Sequence, residues 1–412
     1  MAKKKTETTN VGVTKVNLNV KESKEILKYI FENNRHLQKG GKAPVSIELI
    51  SDAGIGKTSI VQQIASELGL HFVKLNLAQI EELGDLVGFC LKEFEVCKDD
   101  TCSWIPEHAL DQYLKAGYTF TNNKRMSYAA PEWIADKPEG GILLLDDAWR
   151  ADPRFIQACM ELISRQEYIS WKLPKNWHIV LTNNPNDGEY SVNEIDEAQR
   201  TRFISFGLKF DEKCWAEYAE SVGIDGRCIN FLLLHPEVVI DPTTGQIKKG
   251  CNPRSMETFF NSISSIEDFA ETKSLGLIQM IGEGCIGPEA TSMFTTFIHN
   301  KLDKLVTPEF IMSKPFELVT ETLQELCGDL KKGNYRPDIA STLSIRVANY
   351  SLNYSKENKI TKEFIDRVEN LVTKHLFGQD LSFKLAVSLY TGDSVKFREL
   401  ARREKLTKYI LA

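Results

Sequence analysis

The chain lacks most of the features that assign a protein quickly. No apolar run approaches the about 18 residues that a membrane-spanning helix needs, so no span is expected. The basic start "MAKKKTETTN" is not followed by the apolar segment of a secretory signal, and it reads as a solvated tail. Nine cysteines in 412 residues are too few for a disulfide-built small domain and suit a reducing cytoplasm. The H-E-x-x-H, G-x-S-x-G, kinase catalytic-loop and C-x-x-C patterns are absent, which leaves protease, kinase and thiol-redox readings without support. Positive charge is not in excess: 51 Lys and Arg stand against 57 Asp and Glu, a net charge of −6, so the surface as a whole does not advertise nucleic-acid binding. No repeat of fixed period is present.

What is there begins with length, enough for two or three domains with their own cores. Cys90, Cys97, Cys102 and His108 could in principle complete a zinc tetrahedron. They lack paired C-x-x-C knuckles and fall in an expected hairpin insertion, so free cysteines are the expectation. "VSIELI", "HFVKLNL", "GGILLLDDA", "HIVLTNNP" and "RFISFGLKF" read as five core strands, with helices from Thr58 to about Leu68 and from about Arg154 to Arg165. The third is a continuous apolar run, as expected of a strand buried on both faces of a parallel sheet. Residues 81–138 read as irregular, and "EYISWKLPKNW" as a small hairpin. Beyond Phe210 the strand signals largely stop and helical segments dominate. The fold class is therefore α/β, an open helix-covered parallel sheet, followed by helical domains.

"SDAGIGKTS", residues 51–59, joins the first strand to a helix. In a phosphate loop successive backbone N–H groups point at the β- and γ-phosphates, which needs a backbone able to come close; Gly54 and Gly56 serve that. Asp52, Ala53, Ile55 and Ser59 complete the cradle, Lys57 adds a point charge, and Thr58 offers a hydroxyl to Mg²⁺. The helix beginning there contributes its positive dipole end. The full pattern has Gly where this chain has Ser51, so the first bend must be made differently. Asp146, ending the third strand, is placed to hold the Mg²⁺ shell. Asp147 follows where a Glu commonly polarises the attacking water. An Asp falls about 1.5 Å short of that position, which is enough to slow chemistry about a hundredfold. ATP and Mg²⁺ are the implied ligands.

Five segments in order, "SDAGIGKT", "GGILLLDDAWRADP", "VLTNNPND", "DEAQRTRF" and "NPRSMETF", make the chain resemble an AAA+ ATPase of the MoxR or dynein-related branch, most specifically the MoxR-like ATPases of bacteria and phages. The "PEW" of Pro131–Trp133 is part of that likeness. The resemblance implies that Asn184 is the sensor orienting the attacking water, with Asn183 as the alternative. It implies that Arg202 is the arginine finger acting on a neighbouring subunit, with Arg200 beside it, and that Arg254 is the lid sensor. It further implies a homo-oligomeric ring of six subunits, hairpin inserts that engage clients, and a separate von Willebrand factor A-type partner. Residues 1–20 would be a tail, 21–210 the nucleotide-binding core, 211–300 a helical lid and 301–412 a helical C-terminal domain. The departures are Ser51, Ala53, Asp147 and Met256, where a Trp is common. The expected activity is ATP hydrolysis that remodels a protein partner. The alternatives are a nucleic-acid loader, suggested by the basic stretch from Lys396 to Lys408, and a slow ATP-binding switch, suggested by Asp147.

Overall fold

The computed structural model describes residues 16–135, 137–185, 193, 195–300, 302, 305–328 and 333–410, with side chains to 407. It divides into two compact units, Met1–Lys209 and Phe210–Ala412. The expected fold class is present: a parallel α/β unit followed by a helical one.

In the first unit the strands are β1 (Asn17–Leu18), β2 (Ser46–Ile50), β3 (His71–Asn76), β4 (Cys90–Lys98), β5 (Thr101–Pro106), β6 (Thr119–Tyr128), β7 (Gly141–Asp146), β8 (Glu167–Tyr168), β9 (Trp171–Lys172), β10 (Trp177–Asn183) and β11 (Phe203–Leu208). Six of them form one sheet in the order β1-β11-β2-β10-β7-β3, every pair parallel. β10 thus lies between the strand leading into the phosphate loop and the strand ending in Asp146. β1 falls in the stretch read from sequence as tail, and pairs Leu18 with Leu208 at the sheet edge.

The continuous apolar runs have the cause anticipated for them. Ile142 and Leu144 of β7 and Val180 of β10 face the helices Val20–Lys39 and Lys57–Leu68. Leu143, Leu145, Ile179 and Leu181 face the helix Pro153–Arg165 on the other side. Period-two alternation sends successive residues to opposite faces, so a strand covered on both faces needs apolar residues throughout. All seven side chains are fully buried, each contributing about 1.5–3 kcal/mol.

The stretch 81–138 is more ordered than its sequence suggests. β4, β5 and β6 form a separate antiparallel sheet in the order β5-β4-β6. This corrects the reading of the cysteines as all free, and the zinc alternative with it. The β4–β5 register sets Cys97 opposite Cys102 across a turn in which Asp99 and Asp100 both take positive φ, and the two sulfurs are bonded. Among the described residues no group of three or more His, Cys, Asp or Glu side chains is placed to hold a metal ion. No helix among them is long and apolar enough to cross a membrane.

Among its described residues the second unit is helical, with turns between the helices and one bridge, Ile240 to Ile247. It holds two apolar cores. One is built from residues between Trp215 and Ile298 around Phe231, Phe259 and Phe294, and the other from residues between Leu305 and Leu406 around Leu343, Val368 and Phe377.

Candidate nucleotide site

The site forms where β2, β10 and β7 end side by side. β2 stops at Ile50, and the helix Lys57–Leu68 starts six residues on, capped at its far end by Gly69 in the left-handed region. Between them Gly54 (φ 84°) and Gly56 (φ 100°) take conformations an L-residue pays for. Ser51 does not: its φ is negative, and the first bend is made without a left-handed residue. It is buried, and its carbonyl accepts from Lys57 Nζ at 2.6 Å while its hydroxyl lies 3.2 Å from the same nitrogen. The serine that departs from the glycine pattern is thus a polar partner of the loop lysine.

Lys57 Nζ also donates to the carbonyl of Asp52 at 3.1 Å and to Asn184 Oδ1 at 3.0 Å. Its ammonium is nearly buried among four oxygens, held over the loop from the first turn of its helix. Asp52, Ala53, Gly54, Ile55 and Gly56 line the bend half-buried, and Ser59 is exposed on the following turn.

Asp146 gathers three donors. Thr58 Oγ1 lies 3.3 Å from Oδ1 and 3.4 Å from Oδ2, Thr182 Oγ1 donates to Oδ1, and Lys74 Nζ pairs with Oδ2 at 2.8 Å. Burial alone would push this carboxyl up. The bonds from Lys74 and Thr182, the Lys74 charge and the Thr58 hydroxyl outweigh it and hold the group below the usual carboxylate range. A hydroxyl and an ionised carboxylate oxygen side by side at a helix N-terminus are the hard-oxygen pair that suits Mg²⁺, which takes few protein ligands and completes its shell with water and phosphate. Thr58 and Asp146 would hold it.

Asp147 takes the left-handed conformation (φ 50°, ψ 40°), one that Asp tolerates better than most residues. Its carboxylate lies 3.6 Å from Arg150 Nη1. Asn183 and Asn184 divide their work: the Asn184 amide reaches Lys57, whereas the Asn183 amide turns inward, its Oδ1 accepting from the Trp149 backbone N–H at 2.9 Å. The rest of "VLTNNPND" beyond Pro185 lies outside the described residues.

Arg202 is exposed at the head of β11, donating to the Met160 carbonyl at 3.2 Å; Arg200, also exposed, donates to the Ile195 carbonyl at 3.3 Å. Arg254 belongs to the second unit, where it is exposed in the first turn of the helix Pro253–Ser262. Three participants escaped the sequence reading. Thr182 is the direct register partner of Asp146, and Lys74 lies on β3 next to β7. Glu48 is buried in β2, its carboxylate accepting from Trp149 Nε1 at 2.5 Å, from Asn183 Nδ2 at 2.9 Å and from Ser205 Oγ. A charged residue inside an apolar strand was the available signal for both Lys74 and Glu48.

No family model and no curated protein matches the chain. Among solved structures, a lysine-to-arginine mutant of RuvB from Thermotoga maritima aligns over 83% of this chain and 90% of its own, at 13% identity and a TM-score of 0.35. A proline-to-glycine mutant of the same protein aligns over 84% and 93%, at 13% identity and a TM-score of 0.34. An overlap this loose assigns no chemistry to the chain.

Proposed function

We propose that the chain is a Mg²⁺-dependent ATP hydrolase of AAA+ type, MoxR-like, which works as a ring and remodels a protein partner. One observation carries the proposal. The Lys57 ammonium, the Thr58–Asp146 oxygen pair and the Asn184 amide converge on a glycine-bent loop at a helix N-terminus. A buried cation, inward backbone donors and a metal-holding oxygen pair in one place are the complement of a nucleoside triphosphate.

In this reading the loop N–H groups and Lys57 hold the β- and γ-phosphates. The metal, when bound, neutralises charge that develops on the transferred phosphoryl group. Asn184 is released from Lys57 to orient the attacking water, and Asp147 draws a proton from it. Arg202 is exposed and tied to its own unit by one carbonyl, which suits a cation that reaches a neighbour's site. The lid-sensor role of Arg254 rests on the motif resemblance alone. A separate von Willebrand factor A-type partner and a six-membered ring follow from the motif resemblance. The nucleic-acid alternative loses some of its motive: Arg403, in the basic C-terminal stretch, pairs with Asp366 at 2.6 Å and Glu369 at 3.2 Å.

The test is calorimetric titration with ATP, with and without Mg²⁺. Tight binding that is strengthened by Mg²⁺ and lost in Lys57→Ala is expected. Equal binding by wild type and Lys57→Ala would contradict the proposal.

A further inference from the structure

Glu48 lies three residues before the phosphate loop and has no role in the scheme above. Its carboxylate is nonetheless a junction. The Trp149 indole can only donate, and Asn183 must present its NH₂ to Glu48, because its Oδ1 is taken by the Trp149 backbone N–H. The two donors share Oε1, and Ser205 Oγ closes on Oε2. One buried side chain therefore joins four segments. These are β2, which leads into the loop; the turn that follows Asp147; the end of β10, just before Asn184; and β11, which begins beside Arg202. The backbone repeats the link where the Ser51 N–H donates to the Asn183 carbonyl at 3.2 Å.

We infer that Glu48 is a positioning residue: through Trp149 and Asn183 it fixes the turn bearing Asp147 relative to the phosphate loop and to Asn184. This rests on the hydrolase reading of the site. Positive φ at Asp147 makes that turn the strained member of the set, and a strained turn persists only when its surroundings over-determine it. Trp149 supplies that restraint twice, through its backbone N–H to Asn183 and its indole to Glu48. The role is geometric, so a neutral amide can fill it. A Gln at this position keeps one oxygen for the two donors and turns its NH₂ to Ser205, whose hydroxyl can accept.

The experiment compares wild type, Glu48→Gln and Glu48→Ala in three readouts: ATP turnover, nucleotide affinity, and hydrogen exchange at the Trp149 backbone amide. Glu48→Ala is expected to lose turnover about a hundredfold, the scale of a misplacement of about 1 Å. Its affinity should stay within about threefold of wild type, and the Trp149 amide should exchange faster. Glu48→Gln should stay close to wild type in all three. If Glu48→Ala does not fold, Trp149→Phe keeps an aromatic side chain, smaller than the indole, and removes the indole donor, and about tenfold slower turnover at unchanged affinity is expected. Unchanged exchange at Trp149 in Glu48→Ala would overturn the inference, as would a Gln variant as impaired as the Ala one. Turnover unaltered in Glu48→Ala, or in Trp149→Phe where that variant stands in for it, would overturn it too. The expected exchange difference between Glu48→Ala and wild type, with a wild type that never turns over ATP, would instead overturn the hydrolase reading and leave the placement of the turn standing.

Discussion

Asn184 Oδ1 accepts a hydrogen bond from Lys57 Nζ at 3.0 Å, joining residues 127 apart in sequence. The end of the central strand and the start of the phosphate-loop helix are thereby fixed to each other before any ligand is considered. In the proposed reaction the bond is released when phosphate takes the lysine. Asn184→Ala is expected to cut ATP turnover about a hundredfold, as loss of a positioned water contact does, while changing nucleotide affinity by less than about threefold. Affinity falling in step with turnover would mean that the amide serves binding instead.

The Lys74–Asp146 pair, at 2.8 Å, places a fixed cation on the carboxylate that would hold Mg²⁺. Lys74 is 42% exposed, so the pair adds little to stability, on the order of 1 kcal/mol or less. Its effect falls on the competition for Asp146. Lys74→Met should lower the Mg²⁺ concentration at half-maximal nucleotide binding several-fold, read by titrating Mg²⁺ at fixed ATP. A higher midpoint would mean that Lys74 assists the phosphates more than it opposes the metal.

Asp147 is one methylene shorter than the Glu expected at its position. Asp147→Glu should raise turnover about tenfold with affinity unchanged, recovering part of the loss that a carboxylate set back by about 1.5 Å incurs. No rise, measured in steady-state phosphate release, would remove the motive for regarding the site as slow by construction.

His178 sits fully buried in β10, stacked on Phe31 at 4.3 Å, and neither ring nitrogen has a hydrogen-bond partner. Burial, with the Arg35 charge adding to it, pushes the imidazole down to about 3. The unfolded chain therefore binds a proton that the folded chain refuses between about pH 6.5 and about pH 3. The stability contribution is complete above that window and is lost as pH falls through it, at up to about 1.4 kcal/mol per pH unit. Denaturant unfolding at pH 7 and pH 5 should show a smaller acid loss in His178→Met than in wild type. Equal losses would contradict this.

The Cys97–Cys102 bond predicts a thiol count. Of nine cysteines, seven are free, so a titration in denaturant without reductant should find seven thiols, and nine after reduction. Nine in both conditions would contradict the pairing.

The parts of the fold that could be read in advance are those where one local pattern has one meaning. β7 and β10 announced themselves as apolar runs, and the loop at 51–59 as glycines and a lysine between a strand and a helix. The sheet β4-β5-β6 did not, because β6 is exposed along most of its length and gives no alternation to read. The helix Thr272–Cys285 carries Gly276, Gly282 and Gly284, residues that weaken a helix and its sequence signal alike. The structure gives a reason for one of them: a Cβ at Gly282 would come within 2.7 Å of Thr291 Oγ1 on the adjoining helix. Within the site, the residues named by motif could be read. Glu48 and Lys74 stand out in sequence only as charges inside apolar strands; their partners, like that of Thr182, are set by strand register between segments far apart in the chain, which no local pattern records.

In the proposed ring, Arg202 of one subunit completes the hydrolytic site of its neighbour. This is tested most directly by ATP turnover per subunit as protein concentration rises, with Lys57→Ala as the blank and Arg202→Ala alongside. The rate should climb cooperatively with concentration, vanish in the blank, and fall in Arg202→Ala by about 10³-fold, the lower end for loss of an arginine finger, with nucleotide still bound. Full turnover by wild type at high dilution, undiminished in Arg202→Ala, would contradict it.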